Sequence, residues 1–267
     1  MILYKYVPFA IGEKILEHQS VLFSSPKTFN DPFDTPYYPE EPTDDPASAI
    51  FARLRAIGKN YVWAENTGIL SLTRTPTNGL MWAHYADSHQ GMVIGFDAGS
   101  AGFTDEASNL IPAQFGSVIY VSRRDTGPFA SKPKTPLGVG ITHHFPADHY
   151  EKLQRVFLHK PLIWSYEEEV RVLKSLEGID EDGAQTPSGT FSVIATRDRR
   201  LHLYQLPQGS IREVYFGMRA DLGRAEAIAH RLKRMNEEIR LFECILDLNE
   251  FSVGAKPYES IADAVPS

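Results

Sequence analysis

The chain has 267 residues, 42% of them hydrophobic, with a formal net charge of -7 and a mean hydropathy of -0.27. That length fits one large domain or two small ones, and the composition describes a soluble globular protein with ample core. The acidic balance argues against a generic nucleic-acid binder, which needs a basic face; no apolar run is long enough to span a membrane; and the one cysteine, Cys244, permits no internal disulfide.

The N-terminal stretch MILYKYVPF lacks the apolar region of a signal peptide, so a cytoplasmic location is expected. Ile2 to Val7 reads as a strand, and Ile11, Ile15 and Leu16 give helical spacing over residues 10 to 18. Val21 to Ser24 reads as a second strand. Residues 35 to 46, rich in Pro and acid, are expected as loop, and Ile50, Leu54 and Ile57 mark a helix. Gly68 to Thr73 is a third strand. A short helix is predicted over 78 to 89, with Asn78 as its cap and Gly91 closing it. Strands follow at 92 to 97 and 117 to 122, then a Gly/Pro/Lys-rich loop at 125 to 140. Tyr150, Leu153 and Phe157 mark a helix that Pro161 ends, and a strand is predicted over 164 to 173. Residues 176 to 190 read as an exposed connection. Strands are predicted at 191 to 195, 201 to 206 and 211 to 216. Leu222, Ala225, Ile228, Leu232 and Met235 mark a long helix, and a strand over 239 to 246 buries Cys244. The tail from Lys256 is expected to fray. Strands and helices do not alternate regularly, so the class is α+β: one domain over 1 to 255, with mixed or antiparallel sheets forming a central cleft and helices packed around it.

Several catalytic signatures are absent: no Walker loop, no dinucleotide fingerprint, no Cys-x-x-Cys, no His-Glu-x-x-His and no Gly-x-Ser-x-Gly. His84 and His89 are five apart, and the adjacent His143 and His144 point in different directions, so no metal is expected. Short basic clusters at Ser122-Arg123-Arg124, at Arg197 to Arg200 and around Arg231, Lys233 and Arg234 read as solvated surface.

Three stretches carry positive signals. In FSSPKTFNDPFD, a strand ends in Ser24 and Ser25, then Asn30-Asp31-Pro32 makes strong turn chemistry. The ordinary reading is an Asx turn made by Asn30 and pinned by buried Phe29 and Phe33; it accounts less well for the carboxylates Asp31 and Asp34. In the second stretch, Trp82, His84 and Tyr85 crowd one short helix, either as core with hydrogen-bonded tips or as the wall of a cleft. In WSYEEEVRVL, strand alternation puts Ser165, Glu167, Glu169 and Arg171 on one face, with Trp164, Tyr166, Glu168, Val170 and Val172 on the other. Arg171 can pair with Glu169 and hold it ionised. A solvated strand face with an ion pair would look the same.

Taken in order, Phe-Asn-Asp-Pro-Phe-Asp, the Met-Trp-x-His-Tyr helix and Trp-x-Tyr-Glu-x-Glu-x-Arg resemble the bacterial family catalogued as domain of unknown function 2971, over Leu3 to about Arg219. That family brings no established activity. The layout also resembles the ADP-ribosyltransferase fold, in which an early strand carries an aromatic, His or Arg, a second strand ends in Ser-Thr-Ser, and a late strand carries Glu-x-Glu. Tyr4-Lys5-Tyr6, Phe23-Ser24-Ser25 and Glu167-Glu168-Glu169 stand at those places. The chain departs from the pattern in having no His or Arg beside Tyr4 and no threonine between serines.

This second resemblance implies NAD as substrate. Glu169 would hold the ribose and stabilise its oxocarbenium-like transition state, and Glu167 would position the acceptor or serve as its base. Tyr6 or Trp82 would stack on nicotinamide, and Lys5, Arg74 or Arg171 would approach the diphosphate. Tyr4, Ser24, Ser25, His84 and Tyr85 complete the expected pocket, with Asn30, Asp31 and Asp34 on its rim. An intracellular toxin or antiphage effector acting on a protein or nucleic-acid acceptor is the implied role. Two rivals stay open. One is a metal-dependent hydrolase or nuclease with Asp31, Asp34, Glu167, Glu169 and His84 around Mg or Mn. The other is a non-enzymatic recognition module.

Overall fold

The computed structural model describes residues 1–34, 43–124 and 151–259. The loop predicted at 125 to 140, most of the loop at 35 to 46, the pair His143 and His144, and the end of the tail lie outside the described residues. The chain runs β1 (Ile2–Val7), α1 (Phe9–His18), β2 (Ser20–Phe23), α2 (Pro46–Asn66), β3 (Thr67–Thr73), α3 (Gly79–Tyr85), β4 (Met92–Asp97), β5 (Ile119–Val121) and β6 (His159–Pro161). It continues through β7 (Glu169–Ser175), β8 (Ala184–Thr186), β9 (Gly189–Ala195), β10 (Arg200–Gln205), β11 (Ile211–Phe216), α4 (Leu222–Met235), β12 (Arg240–Asp247) and β13 (Ser252–Pro257).

Among the described residues three sheets form. The seven-stranded sheet has the order β13-β12-β11-β4-β1-β3-β7, the four-stranded sheet β2-β10-β9-β8, and β5 pairs with β6 alone. Pairing is antiparallel except for β5–β6 and for β11–β12, which α4 connects. This is a mixed α+β architecture. Strand parity divides the large sheet into two faces. Leu3, Leu70, Leu72, Ile94, Val170, Val172 and Val214 enter the main core, which α4 covers with Ala225, Ile228, Ala229 and Leu232. The opposite face carries Tyr6, Val93 and Tyr215 in a second cluster with Trp82 and Cys244. Glu169 and Arg171 share that opposite face of β7 by alternation with Val170 and Val172.

Capping fixes the helix starts. Asn78 Oδ1 accepts from the backbone of Leu80 and Met81 at 3.0 and 3.1 Å, and Asp45 and Asp221 cap α2 and α4. The ends differ from the sequence reading in two places. The helix predicted to reach 89 stops at Tyr85, because Asp87, Ser88 and His89 all take positive φ and turn the chain back toward β4. The strand predicted over 164 to 173 begins only at Glu169. Leu162–Glu167 is a 3-10 turn following Pro161, and Glu168 sits in the left-handed region with φ 45 and ψ 43. Smaller differences follow. The segment 176 to 190 contains β8, which pairs with β9, and Lys256 and Pro257 belong to β13 rather than to a frayed tail. The chain around Phe157 is a π-turn, Gln154–Leu158. α2 turns Ala52, Ala56 and Ala64 inward while Ile50, Phe51, Leu54 and Ile57 stay exposed.

The loop before β5 is pressed onto β7. The Gly116 carbonyl oxygen accepts from the Arg171 N–H at 2.8 Å, and a Cβ at 116 would overlap the Arg171 carbonyl oxygen. Gly116→Ala is expected to destabilise by ~1–3 kcal/mol, as overpacking against fixed backbone does. Urea unfolding checks this, and an unchanged midpoint would mean that the loop yields freely.

Candidate functional site

β1 and β3 are recorded as paired at one position, Tyr4 with Thr73, whereas β3 and β7 pair along seven. A cavity of about 200 Å³ opens beside that short pairing. Its walls are β1 (Tyr4, Lys5, Tyr6), the end of β2 and the turn after it (Ser24, Phe29, Asn30, Asp34), β3 (Ile69 to Thr73), α3 (Met81, Tyr85), Lys160 from β6, and Glu167 and Glu169. Ser24 is held there by a reciprocal backbone pair with Ile69, both bonds at 2.9 Å. Segments more than a hundred residues apart thus meet at one concave surface.

The floor is a buried charge network. Lys160 Nζ donates to Glu167 Oε2 at 2.5 Å and to Glu169 Oε2 at 2.9 Å, and stands 3.6 Å from Asp34. Arg171 donates through Nε to Glu169 Oε1 at 2.8 Å, through Nη2 to both Asp34 oxygens at 2.6 Å, and through Nη1 to the Phe157 carbonyl oxygen at 2.6 Å. All five groups are buried. Tyr85 donates its hydroxyl to Glu167 Oε1 at 2.6 Å, and the Glu169 N–H donates to the Tyr120 hydroxyl oxygen at 2.9 Å. Among the described residues, the three carboxylates share two full cations, Lys160 and Arg171.

Burial alone would raise the Glu169 pKa, but the charges of Arg171 and then Lys160 outweigh it and hold the carboxyl at about 2. Burial likewise pulls Lys160 down, and Glu169 and Glu167 more than compensate, so its ammonium is held above the usual value. For Tyr85, burial first and then the Glu167 hydrogen bond push the phenol up. Lys5 differs. Burial lowers it to about 8 against the pull of Glu169, and among the described residues its ammonium makes one hydrogen bond, to the Ser71 carbonyl oxygen at 3.2 Å.

The structure brings together Glu167, Glu169, Tyr4, Lys5, Tyr6, Ser24, Tyr85, Asn30 and Asp34 from the residues expected at the site. It leaves five of the others off the lining. Trp82 is fully buried, its Nε1 donating to the Pro76 carbonyl oxygen at 2.8 Å and its ring against Tyr6 and His89, so no face is open to a ligand. His84 is exposed on the outer side of α3, near Tyr85 and Tyr166. Ser25 donates to the Ala64 carbonyl oxygen at 2.7 Å and faces a neighbouring groove. Arg171 lies beneath the cavity, fully engaged, and Asp31 folds into its own turn. Arg74, also off the lining, braces the turn by donating to Glu168 and Ser117.

The turn is made by Asp31, not Asn30. Asp31 Oδ1 accepts from the Phe33 N–H at 2.8 Å, while Asn30 is exposed and makes no side-chain hydrogen bond among the described residues. Phe29 is half-buried and Phe33 is 67% exposed, so the pair of buried phenylalanines expected there does not form. Asp31→Ala is expected to cost ~1 kcal/mol, and Asn30→Ala under ~0.5 kcal/mol. Thermal melts of both decide it, and the reverse order would return the turn to Asn30.

Lys160 is the residue the sequence reading missed. Its only signal is a lone lysine set between the apolar runs Val156-Phe157-Leu158 and Pro161-Leu162-Ile163-Trp164. Its ammonium occupies the centre of the three carboxylates, the place where the hydrolase alternative would put a metal ion. Among the described residues, no group of three or more His, Cys, Asp or Glu is arranged to hold a metal, and no helix is long and apolar enough to cross a membrane. No curated protein and no solved structure matches the chain. Residues 81–172, which run from α3 to β7 and carry Tyr85, Lys160, Glu167, Glu169 and Arg171, match the model of the family described as Protein of unknown function (DUF2971), the family its motifs resemble.

Proposed function

We propose that this chain cleaves the bond between nicotinamide and ribose in NAD, on an ADP-ribosyltransferase-like scaffold, and passes the ADP-ribosyl group to water or to a macromolecular acceptor. One observation carries the reading: a carboxylate-rich floor, three carboxylates against two cations, opens into a small cavity walled by Tyr4, Tyr6, Phe29 and Tyr85. In the reaction, the C1′–N1 bond breaks, its electron pair leaves with neutral nicotinamide, and positive charge develops on the sugar. A fixed, already ionised carboxylate stabilises that charge without reorganising. Glu169 is assigned this role. Glu167, hydrogen-bonded by Tyr85, is assigned the acceptor's proton. With water as acceptor the products are ADP-ribose, nicotinamide and one proton.

The two glutamates share one ammonium, so they stand closer than the ~6.5–9.5 Å that an inverting glycosidase keeps for a water between its carboxylates. The acceptor therefore approaches from the cavity side rather than from between them. The test is nicotinamide release from NAD by the full chain, with a chelator present, with and without cell extract as a source of acceptor. Release under chelation supports the reading. No release with extract supplied defeats it, and release only with added Mg or Mn would favour the metal-dependent alternative.

A further inference from the structure

The first cavity, at about 200 Å³, is smaller than the ~300–1,000 Å³ typical of pockets that enclose a drug-sized ligand. On the function proposed above, it takes the nicotinamide riboside end of a dinucleotide. The diphosphate and the second nucleoside must lie outside it. A second cavity, of about 360 Å³, meets the first at Lys160, which lines both. Its other walls are the ends of β5 and β6 (Val121, Ser122, His159, Pro161), Arg123 and Arg124 just beyond, and Phe33.

We propose that this second cavity is a diphosphate-binding subsite, in which Arg123, Arg124 and His159 receive the phosphates of a dinucleotide whose other end lies against Glu169. Among the described residues its ionisable lining is basic, in a chain whose net charge is -7. The Arg123 guanidinium is exposed and has no ion pair among the described residues. Arg124 donates to the Phe33 carbonyl oxygen, tying the turn after β2 to the segment just beyond β5 along the second cavity. Planar guanidinium forks match phosphate oxygens in pairs. Phe33, 67% exposed, offers a ring face for the adenine. The basic cluster Ser122-Arg123-Arg124, which sequence alone reads as solvated surface, thereby acquires a ligand.

This inference rests on reading the first cavity as the riboside site, but it is tested apart from turnover. The probes are ADP, AMP and adenosine, titrated calorimetrically into the full chain at ~0.15 M salt, where weak surface pairing is screened. ADP is expected to bind at least about tenfold more tightly than adenosine, with AMP between them. Arg123→Glu, on an exposed side chain, is expected to weaken ADP at least about tenfold with an unchanged melting curve. Glu169→Gln is expected to shift ADP affinity less than about threefold. Equal binding of ADP and adenosine, no ADP binding at millimolar concentration, or an Arg123→Glu protein that binds ADP normally would overturn the subsite. ADP binding that depends on Arg123 but without nicotinamide release would keep the subsite and defeat the reading of the first cavity. Release without ADP binding would do the opposite.

Discussion

Under the proposed function, Glu169→Gln is expected to lower nicotinamide release at least about a hundredfold, the loss typical of removing one preorganised electrostatic contact from a reacting centre. The substitution keeps shape and volume and removes the charge. Glu169 is suited to the role because its charge is secured before substrate arrives: Arg171 and Lys160 hold its carboxyl near pKa 2, so it is ionised at any working pH. The same partners make the replacement costly. Lys160 and Arg171 are donors only, and the Gln amide nitrogen must face one of them, at an expected cost of about 3 kcal/mol. The fold survives because Arg171 keeps Asp34 and the Phe157 carbonyl, and Lys160 keeps Glu167.

Glu168→Gln is the control. Glu168 is exposed, its left-handed backbone turns the chain between the two buried glutamates, and the change leaves that backbone as it was. Activity should stay within about twofold. Both variants are compared below their melting temperatures, with nicotinamide measured by chromatography. Equal losses in the two would mean a damaged turn rather than a catalytic carboxylate.

What sequence reveals of this protein depends on how much of each element is set locally. Met92–Asp97, Ile211–Phe216 and Leu222–Met235 are legible to the residue, because uninterrupted apolar runs or a long 3.6-residue period specify them. The segment 164 to 173 misleads for the same reason: Trp164, Tyr166 and the valines have strand propensity, yet Leu162–Glu167 is a 3-10 turn. Glu167 and Glu169 do come together, but through the left-handed Glu168 rather than through strand alternation. Their burial was not legible either, since it depends on Lys160 and Asp34 arriving from β6 and from the turn after β2. Trp82 shows the converse limit. Helical spacing places it on α3, but only the packing of Tyr6, His89 and the Pro76 carbonyl reveals that its ring is sealed. β13 escapes because SVGAKP is short, small and charged, as edge strands tend to be.

Lys160→Met carries the largest expected effect on stability. It keeps most of the apolar stem and removes the ammonium that touches Glu167 and Glu169 and lies 3.6 Å from Asp34. Among the described residues, Arg171 is then the remaining cation paired with Asp34 and Glu169, and Glu167 loses its ion pair; breaking a buried ionic cluster in this way costs ~3–5 kcal/mol. For a chain of this size that is a fall in Tm of ~10 °C. The pH dependence identifies the cause. Glu169 has a folded pKa of about 2 against an ordinary value of 4.5, so its paired charge stabilises fully above pH 4.5 and that contribution is lost as pH falls through 2. Lys160 is raised above 10.5, so its contribution is complete below that value. The gap between wild type and Lys160→Met in urea unfolding is therefore widest near pH 7 and narrows from pH 4.5 toward 2, as wild-type Glu169 loses the paired charge that Lys160 helps to hold. Glu167→Gln added to Lys160→Met should recover part of the loss, because it removes one of the repelling charges. A gap that stays constant across the acid range, with no recovery in the double variant, would show that Lys160 contributes its packed stem and that its charge is incidental.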